Sequence, residues 1–529
     1  MKRKTKLWFV WTLIVALSFL IVSFRNENAL KPGQFPYRQA GLTDEQAVAH
    51  LLSRFTYGVK TGQIKDVMKI SPERWFALQL EGGLPDDTLD ELLRQYPALK
   101  LNNSEVVNTY PRNARILQMA VKDGVIKKDS LSAAGKSEYR ALLATYMKAN
   151  GYQPQKELVR QFINQKIWRA AYSNNQLHEV LTEFWFNHFN VSFSKNQCAP
   201  FIPAYERDVI RPMTTAKFGD LLLATAQSPA MLYYLDNFSS SSADTNRNSG
   251  KKPGMQPMPL RKRTKGINEN YAREVMELHT LGVDGGYTQQ DVTEAARILT
   301  GWTVYPLDSN AYGKMVQKRL ERMDRNQAKG YVRIGDFLFT PNRHDAGEKQ
   351  VLGQKFGKVE GYQEGVKLLA MLANHPSTAR FICKKLAVRF VSDNPPQSLL
   401  DKMVHTFQTK DGSIAAVLTT MVYAPEFWDK KAVGVKTKSP FELVISAVRG
   451  LDAEIRQPYQ LYTWASKIGQ NIYHYQAPTG FPDYAGYWIN TGALLNRINF
   501  GLAIESGKIP GVKANPAGIS VGSPEFQRR

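Results

Sequence analysis

The sequence predicts an all-α protein: a large multi-helix globular body with few short strands, preceded by one N-terminal transmembrane helix. Three observations carry this reading. Apolar residues recur at three- and four-residue spacings, helix-start signals are frequent and alternating strand patterns are scarce. The N-terminus departs from the pattern, because Lys2, Arg3, Lys4 and Lys6 precede an uncharged, strongly apolar run from Leu7 to Phe24.

That run has 18 residues, and as a helix rising about 1.5 Å per residue it reaches roughly 27 Å, close to the hydrocarbon thickness of a bilayer. No small-residue cleavage site follows in Ser23-Phe24-Arg25-Asn26-Glu27-Asn28, so an uncleaved signal anchor is expected, with a cleaved signal and a secreted chain as the alternative. The basic flank keeps residues 1–6 cytoplasmic and exports everything from Arg25 onward. The expected organisation is therefore a cytoplasmic stub (1–6), an anchor (7–24), a polar stalk (25–40), a helical body (41–507) and a polar tail (508–529).

Within the body, Thr43-Asp44-Glu45-Gln46 has a capping-box pattern. Ser71-Pro72 and Ser439-Pro440-Phe441-Glu442 place Pro at a first helical position, the latter with a capping box. Leu158, Phe162, Ile163, Ile167, Val180, Leu181, Phe184 and Trp185 predict two amphipathic helices between Gln155 and Val191. Further helices are expected in Tyr362 to Leu372, Thr378 to Phe390 and Ile414 to Tyr423. Residues 238–266 read as a flexible basic insertion, rich in Ser, Asn, Gly and Pro with Arg261-Lys262-Arg263. A short hairpin is expected around Tyr331 to Phe339.

The net charge of +22, from 69 basic and 47 acidic residues, suits an anionic partner. For an exported chain, anionic lipid or an envelope polymer fits better than nucleic acid, which is not expected; solvated basic faces are the bland alternative. Two cysteines, Cys198 and Cys383, exclude a disulfide scaffold and allow either one bridge or two buried thiols.

Polar groups concentrate beside an apolar stripe in the segment Asn268 to Tyr287. Glu269, Arg273 and Glu277 stand at i, i+4 and i+8 and predict an ion-pair ladder, with Glu274 and Glu277 neighbours at i and i+3. His279 lies about 140° from Glu274 on an ideal helix, so those two form no metal pair by themselves. A metal site would draw on His188, beside Asn187 in the aromatic run Phe184 to Phe189, and on His344-Asp345. The competing reading makes these a hydrogen-bonded core network. Thr288-Gln289-Gln290-Asp291 resembles the cap of the next helix, expected to run through Val292 to Trp302 with Gly301 terminating it, and Asp291 is expected in its first turn, where a carboxylate favours the positive helix end. No nucleophile elbow, phosphate loop or His-Glu-x-x-His motif occurs.

The segments FWFNHF, PAMLYYLDN, NENYAREVMELHTLGVDGGYTQQDV, AARILTGW, HDAGEKQVLG, HPSTARFICKKLAVRFVSDNPP and KSPFELVISAVRGL run in order along the chain. Together they resemble the bacterial domain of unknown function family numbered eighteen hundred. The resemblance implies an exported protein and no particular activity; it also implies company with exported sulfatase- or phosphatase-like proteins. Residues matching the family motifs include Asn187, His188, Asp236, Asn237, Asn268, Glu269, Asn270, Glu274, Glu277, His279, Asp291, His344 and Asp345.

Two readings of function follow. In the first the chain is a metal-dependent hydrolase of cell-envelope material, with Glu274, Glu277, His279 and Asn187 as catalytic candidates, and His188, His344 and Asp345 holding a divalent ion. In the second it is a non-catalytic scaffold for an exported sulfatase- or phosphatase-like partner, with Glu269, Arg273 and Asp291 in an internal network.

Overall fold

Helices begin where the sequence places their caps. Thr43, Thr288 and Ser439 each close a capping box, with Gln46, Asp291 and Glu442 returning the bond to the cap backbone, and Ser71 caps the helix Pro72–Glu81. The computed structural model describes residues 33–126, 136–195, 197–242, 266–307, 330–357, 360–515 and 520–529, with scattered helical residues between 314 and 322. The expected anchor at 7–24 and residues 243–265 of the basic insertion lie outside these. Among the described residues no helix is long and apolar enough to cross a membrane.

The body is mainly helical. Helix Gln155–Tyr172 runs through its middle and is covered on nearly every side: Leu158, Phe162, Ile163, Ile167 and Trp168 are at most 3% exposed. Helices Gln176–His188, Pro440–Gly450 and Tyr459–Ile468 pack on it, and Thr491–Glu505 packs on Tyr459–Ile468. One contiguous apolar core joins these to the helices Tyr362–Ala373, Pro376–Phe390 and Ile414–Tyr423, with two small satellite clusters around Val106 and Ile116.

The strands are short and antiparallel. Val332–Ile334 and Phe337–Phe339 form the expected hairpin, and Trp302–Val304 pairs with its inner strand, Trp302 opposite Phe339. The helix expected to run to Trp302 is shorter than its apolar pattern. Gln289–Ile298 stops before Gly301, whose φ of +82° and contact with the Thr340 carbonyl leave no room for a side chain.

Both ends of the body depart from expectation. The segment assigned to a polar stalk is packed from Phe35, whose ring meets Phe76, Tyr423 and Trp428 and whose amide donates to Glu73 at 2.8 Å. The supposed polar tail is likewise built in: Ile509, Val512 and Val521 are buried, and Lys436 and Arg529 exchange backbone hydrogen bonds. Composition misleads here because a few aromatic or aliphatic side chains suffice to seat a polar segment. Cys198 and Cys383 are free buried thiols.

Arg529 also reaches Glu442. This carboxylate lies 2.7 Å from Arg389 and 3.0 Å from Arg529, and its other oxygen accepts the Ser439 amide at 2.8 Å. Burial alone would raise the Glu442 pKa, but the two guanidinium groups and the cap bond outweigh it and hold it at about 2. A carboxyl depressed on folding contributes stability that is complete above its unfolded value near 4.5 and is lost as pH falls toward about 2. Glu442→Gln is expected to cost on the order of 3 to 5 kcal/mol, since it strands buried guanidinium charge. Urea unfolding at pH 7 and at pH 3 measures both effects, the variant's deficit being smaller at pH 3.

Candidate functional site

The helix Pro376–Phe390 starts at His375, whose ring accepts the Ser377 amide at 3.2 Å. From that start, residues three and four apart fall on one side, and Ser377, Arg380, Phe381, Lys384, Lys385, Val388 and Arg389 all face one cavity of about 940 Å³. The opposite wall comes from Phe481, Tyr484 and Trp488. Leu281 to Asp284 close one side, and Phe441 and Glu442 the floor toward the central helices.

The charges in this cavity are unevenly matched. Glu183 is paired with Lys166 at 2.5 Å, Asp393 with Lys436 at 2.6 Å, Asp483 with Lys436 and Arg389, and Glu442 with Arg389 and Arg529. Arg380, Lys384 and Lys385 have no carboxylate within ion-pairing distance among the described residues, while Asp284 is exposed at the rim. The cavity therefore offers uncompensated positive charge beside aromatic faces, a combination suited to an anionic ligand carrying a flat or ring-shaped part.

Lys385 has a specific partner. Its ammonium nitrogen lies 2.9 Å from Nδ1 of His188, whose Nε2 lies 3.0 Å from the His279 carbonyl. A carbonyl only accepts, so Nε2 of His188 carries the hydrogen, Nδ1 accepts, and Lys385 donates. Burial first, then the nearby Lys385 charge and His279, hold His188 far below the usual imidazole range, so the ring is neutral. Burial lowers Lys385 itself to about 8, with Asp483 opposing the shift. A neutral Lys385 keeps one N–H on His188 and retains a lone pair for the cavity.

Asn187, expected to be catalytic, instead holds a wall in place. Its amide nitrogen donates to the Phe481 carbonyl at 2.8 Å and its oxygen accepts the Phe481 amide at 2.7 Å. The approach needs glycine at 480, where φ is +67° and an added Cβ would lie 2.1 Å from the Asn187 carbonyl oxygen.

The other expected site residues do not line this cavity. The helix Glu269–Met276 passes into a π-helical turn, Glu277–Leu281, but the Glu277 amide still bonds the Arg273 carbonyl, so Glu277 keeps its place one turn after Arg273 and is engaged by Tyr287 instead. The ladder is thus half formed: Glu269 meets Arg273 at 3.6 Å, whereas Glu277 accepts the Tyr287 hydroxyl at 2.6 Å. Glu269 bonds Gln289 and Thr293, and Arg273 bonds Gln289, so both fasten this helix to the next. Glu274 is half-buried with its pKa raised, by burial and then by Glu277. His279 is buried against Phe189 and His188, and burial lowers it to about 3. Asp291 caps its helix and accepts the Leu352 amide at 2.7 Å.

The three metal-ligand candidates belong to separate bonding sets, which corrects the ligand group expected from sequence. His188 is occupied by Lys385 and the His279 carbonyl. His344 bonds the Thr300 carbonyl through Nδ1 at 3.0 Å and lies 3.4 Å from Glu364 through Nε2. Arg297 grips both oxygens of Asp345, at 3.0 and 3.1 Å. Among the described residues no group of three or more His, Cys, Asp and Glu side chains is arranged to hold a metal ion.

The cavity's own residues were visible only as spacing: Arg380, Lys384, Lys385 and Arg389 recur at helical intervals on one face. Asn187→Ala leaves the half-buried Phe481 amide without its acceptor and is expected to cost about 1 kcal/mol. Limited proteolysis of the variant should show faster cleavage within residues 479–488, and an unchanged pattern would count against the pinning role.

No curated protein and no solved structure matches the chain. The family described as Protein of unknown function (DUF1800) matches residues 50–524. That span takes in the central helices, the Asn268 to Tyr287 segment and every wall of the cavity, and the chain belongs to this family.

Proposed function

We propose that this protein is a membrane-anchored, extracytoplasmic hydrolase of anionic cell-envelope material, with the Lys385 amine as its proton-transfer group. One observation carries the reading: an amine held near pH 8 on the wall of a large cavity, fixed by a neutral buried imidazole. A titratable group perturbed by burial inside a cleft is the kind of group that proton-transfer chemistry uses. Arg380 and Lys384 supply the attraction for an anion.

In this reading the neutral Lys385 amine accepts a proton from water as its oxygen attacks the scissile ester, phosphoester or glycosidic centre, and returns it to the departing oxygen. His188 is a positioning residue. The divalent-metal version built on His188, His344 and Asp345 is not carried forward, because those side chains are already engaged. Location rests on the apolar run Leu7 to Phe24 and its basic flank.

A second reading, a scaffold for an exported sulfatase- or phosphatase-like partner, draws on a different observation. Buried Lys349 meets Glu364 at 2.6 Å and bonds the Asp345 carbonyl, so the His344-Asp345 motif forms an internal network, as a structural role requires.

Hydrolysis of envelope polymers and esters should rise with pH through about 8, as Lys385 loses its proton. Lys385→Ala and Lys385→Arg are both expected to lose on the order of 100-fold or more, because arginine keeps the charge but cannot accept a proton. Competitive acylation followed by mass spectrometry titrates Lys385 directly. A profile near the ordinary 10.5, or full activity in Lys385→Arg, would sink the proposal in favour of the scaffold.

A further inference from the structure

We infer that one face of the body, from the start of the described chain at Gly33 to the helix Thr491–Glu505, lies on an anionic lipid bilayer. It rests on the reading of residues 7–24 as an anchor and goes beyond the proposed hydrolysis.

The helix Thr491–Glu505 is apolar on two sides. Ala493, Phe500, Gly501 and Ile504 face the core. Leu494, Leu495, Ile498 and Leu502 are 45%, 61%, 42% and 61% exposed. At about 100° per residue these four share a sector of roughly 100°, so they form a solvent-facing stripe rather than scattered apolar side chains. Two more exposed apolar side chains, Tyr484 and Ile489, precede this helix in the chain, and Tyr484 also lines the cavity.

This surface joins the place where the chain leaves toward its N-terminus. Lys436 bonds the Asp483 carbonyl at 3.0 Å, so the segment Lys430 to Val435 leads directly into a residue tied to the neighbour of Tyr484. In that segment Lys430, Lys431, Val433 and Val435 are exposed. Tyr423, seven residues before Lys430, donates its hydroxyl to the Gly33 carbonyl at 3.1 Å, and Gly41 lies against the Lys430 side chain.

Chain length then limits where a bilayer can be. Only Arg25 to Pro32 separate the apolar run from Gly33, and these eight residues span at most about 29 Å when fully extended. An anchored body is thereby confined to within about 29 Å of the membrane, and the face around the exit point is the one turned toward it. Aliphatic side chains interleaved with lysines are the composition that suits an anionic headgroup layer, where leucines enter the interface and ammonium groups stay among phosphates. The cavity mouth at Tyr484 would then open at headgroup level, where an amphiphilic anion enters without leaving the membrane.

The test uses the full chain in vesicles of phosphatidylcholine and phosphatidylglycerol carrying a headgroup nitroxide lipid. Leu495→Cys, Val435→Cys and, as control, Ile334→Cys on the three-stranded sheet are labelled with an environment-sensitive fluorophore. Cys198 and Cys383 are buried, which keeps background labelling low. Labels at 495 and 435 are expected to be quenched by about half or more, and the control to be unaffected. Omitting phosphatidylglycerol should weaken the effect.

Absence of quenching at 495 and 435, in a chain that stays in the pellet after carbonate washing, overturns the inference and leaves the anchor standing. Release by carbonate without quenching overturns both. Emission that follows protein density rather than nitroxide content assigns the stripe to a second copy and also overturns it.

Discussion

The clamp on Glu442 is the constraint on which the rest of the structure depends. A carboxylate at the start of the buried helix Pro440–Gly450 takes Arg389 from the cavity helix on one side and Arg529 from the terminal segment on the other. All three side chains are at most 8% exposed. Two cations share this one buried anion, with the part-exposed Asp483 3.7 Å from Arg389, and buried Arg54, which bonds the Ala432 carbonyl, lies in the same interior. Such a cluster is stable only in one arrangement, because each lost contact leaves a charge in low dielectric. Arg389 lies one helical turn beyond Lys385, so the clamp also sets the rotation of the helix that presents Lys385 to the cavity.

The same economy of charge separates the two polar centres of the family motifs. Around His344 and Asp345 every ionisable group has found an internal partner, with Arg297 on Asp345 and Lys349 on Glu364. Those residues lock the strands and the helix Gln289–Ile298 together. Around His188 the matching is incomplete: the ring is satisfied, but the lysine that satisfies it lines the cavity and has no carboxylate within ion-pairing distance among the described residues. Complete pairing reads as architecture and incomplete pairing as capacity for a ligand.

Much of the framework was legible because it is local. Thr43, Thr288 and Ser439 announce helix starts within four residues, and the pair of helices between Gln155 and His188 follows directly from apolar spacing. The site was not, because its bonds connect distant positions: His188 with Lys385, Asn187 with Phe481, Glu442 with Arg529. The ion-pair ladder failed for a related reason, since the Glu277 carboxylate is taken by the Tyr287 hydroxyl, ten residues further on. The cation stripe from Arg380 to Arg389 was in plain view, but such a stripe is ordinarily a solvated face. Only the wall from Phe481 to Trp488, pinned by Asn187, turns it into a cavity.

Within that cavity, recognition and proton transfer make opposed demands on neighbouring side chains. An anion placed against Lys385 would raise its pKa and keep it protonated, which removes the base the chemistry needs. Arg380 and Lys384 are exposed, whereas Lys385 is held near 8 by burial. The arrangement is consistent with a ligand whose charged group lies toward Arg380, near the start of the helix, and whose reacting bond lies one turn further on. For the proposed hydrolysis, separation along a single helix would let one cavity attract an anion without silencing its base, and the neutral His188 ring would preserve that balance because it adds a hydrogen bond to Lys385 and no charge.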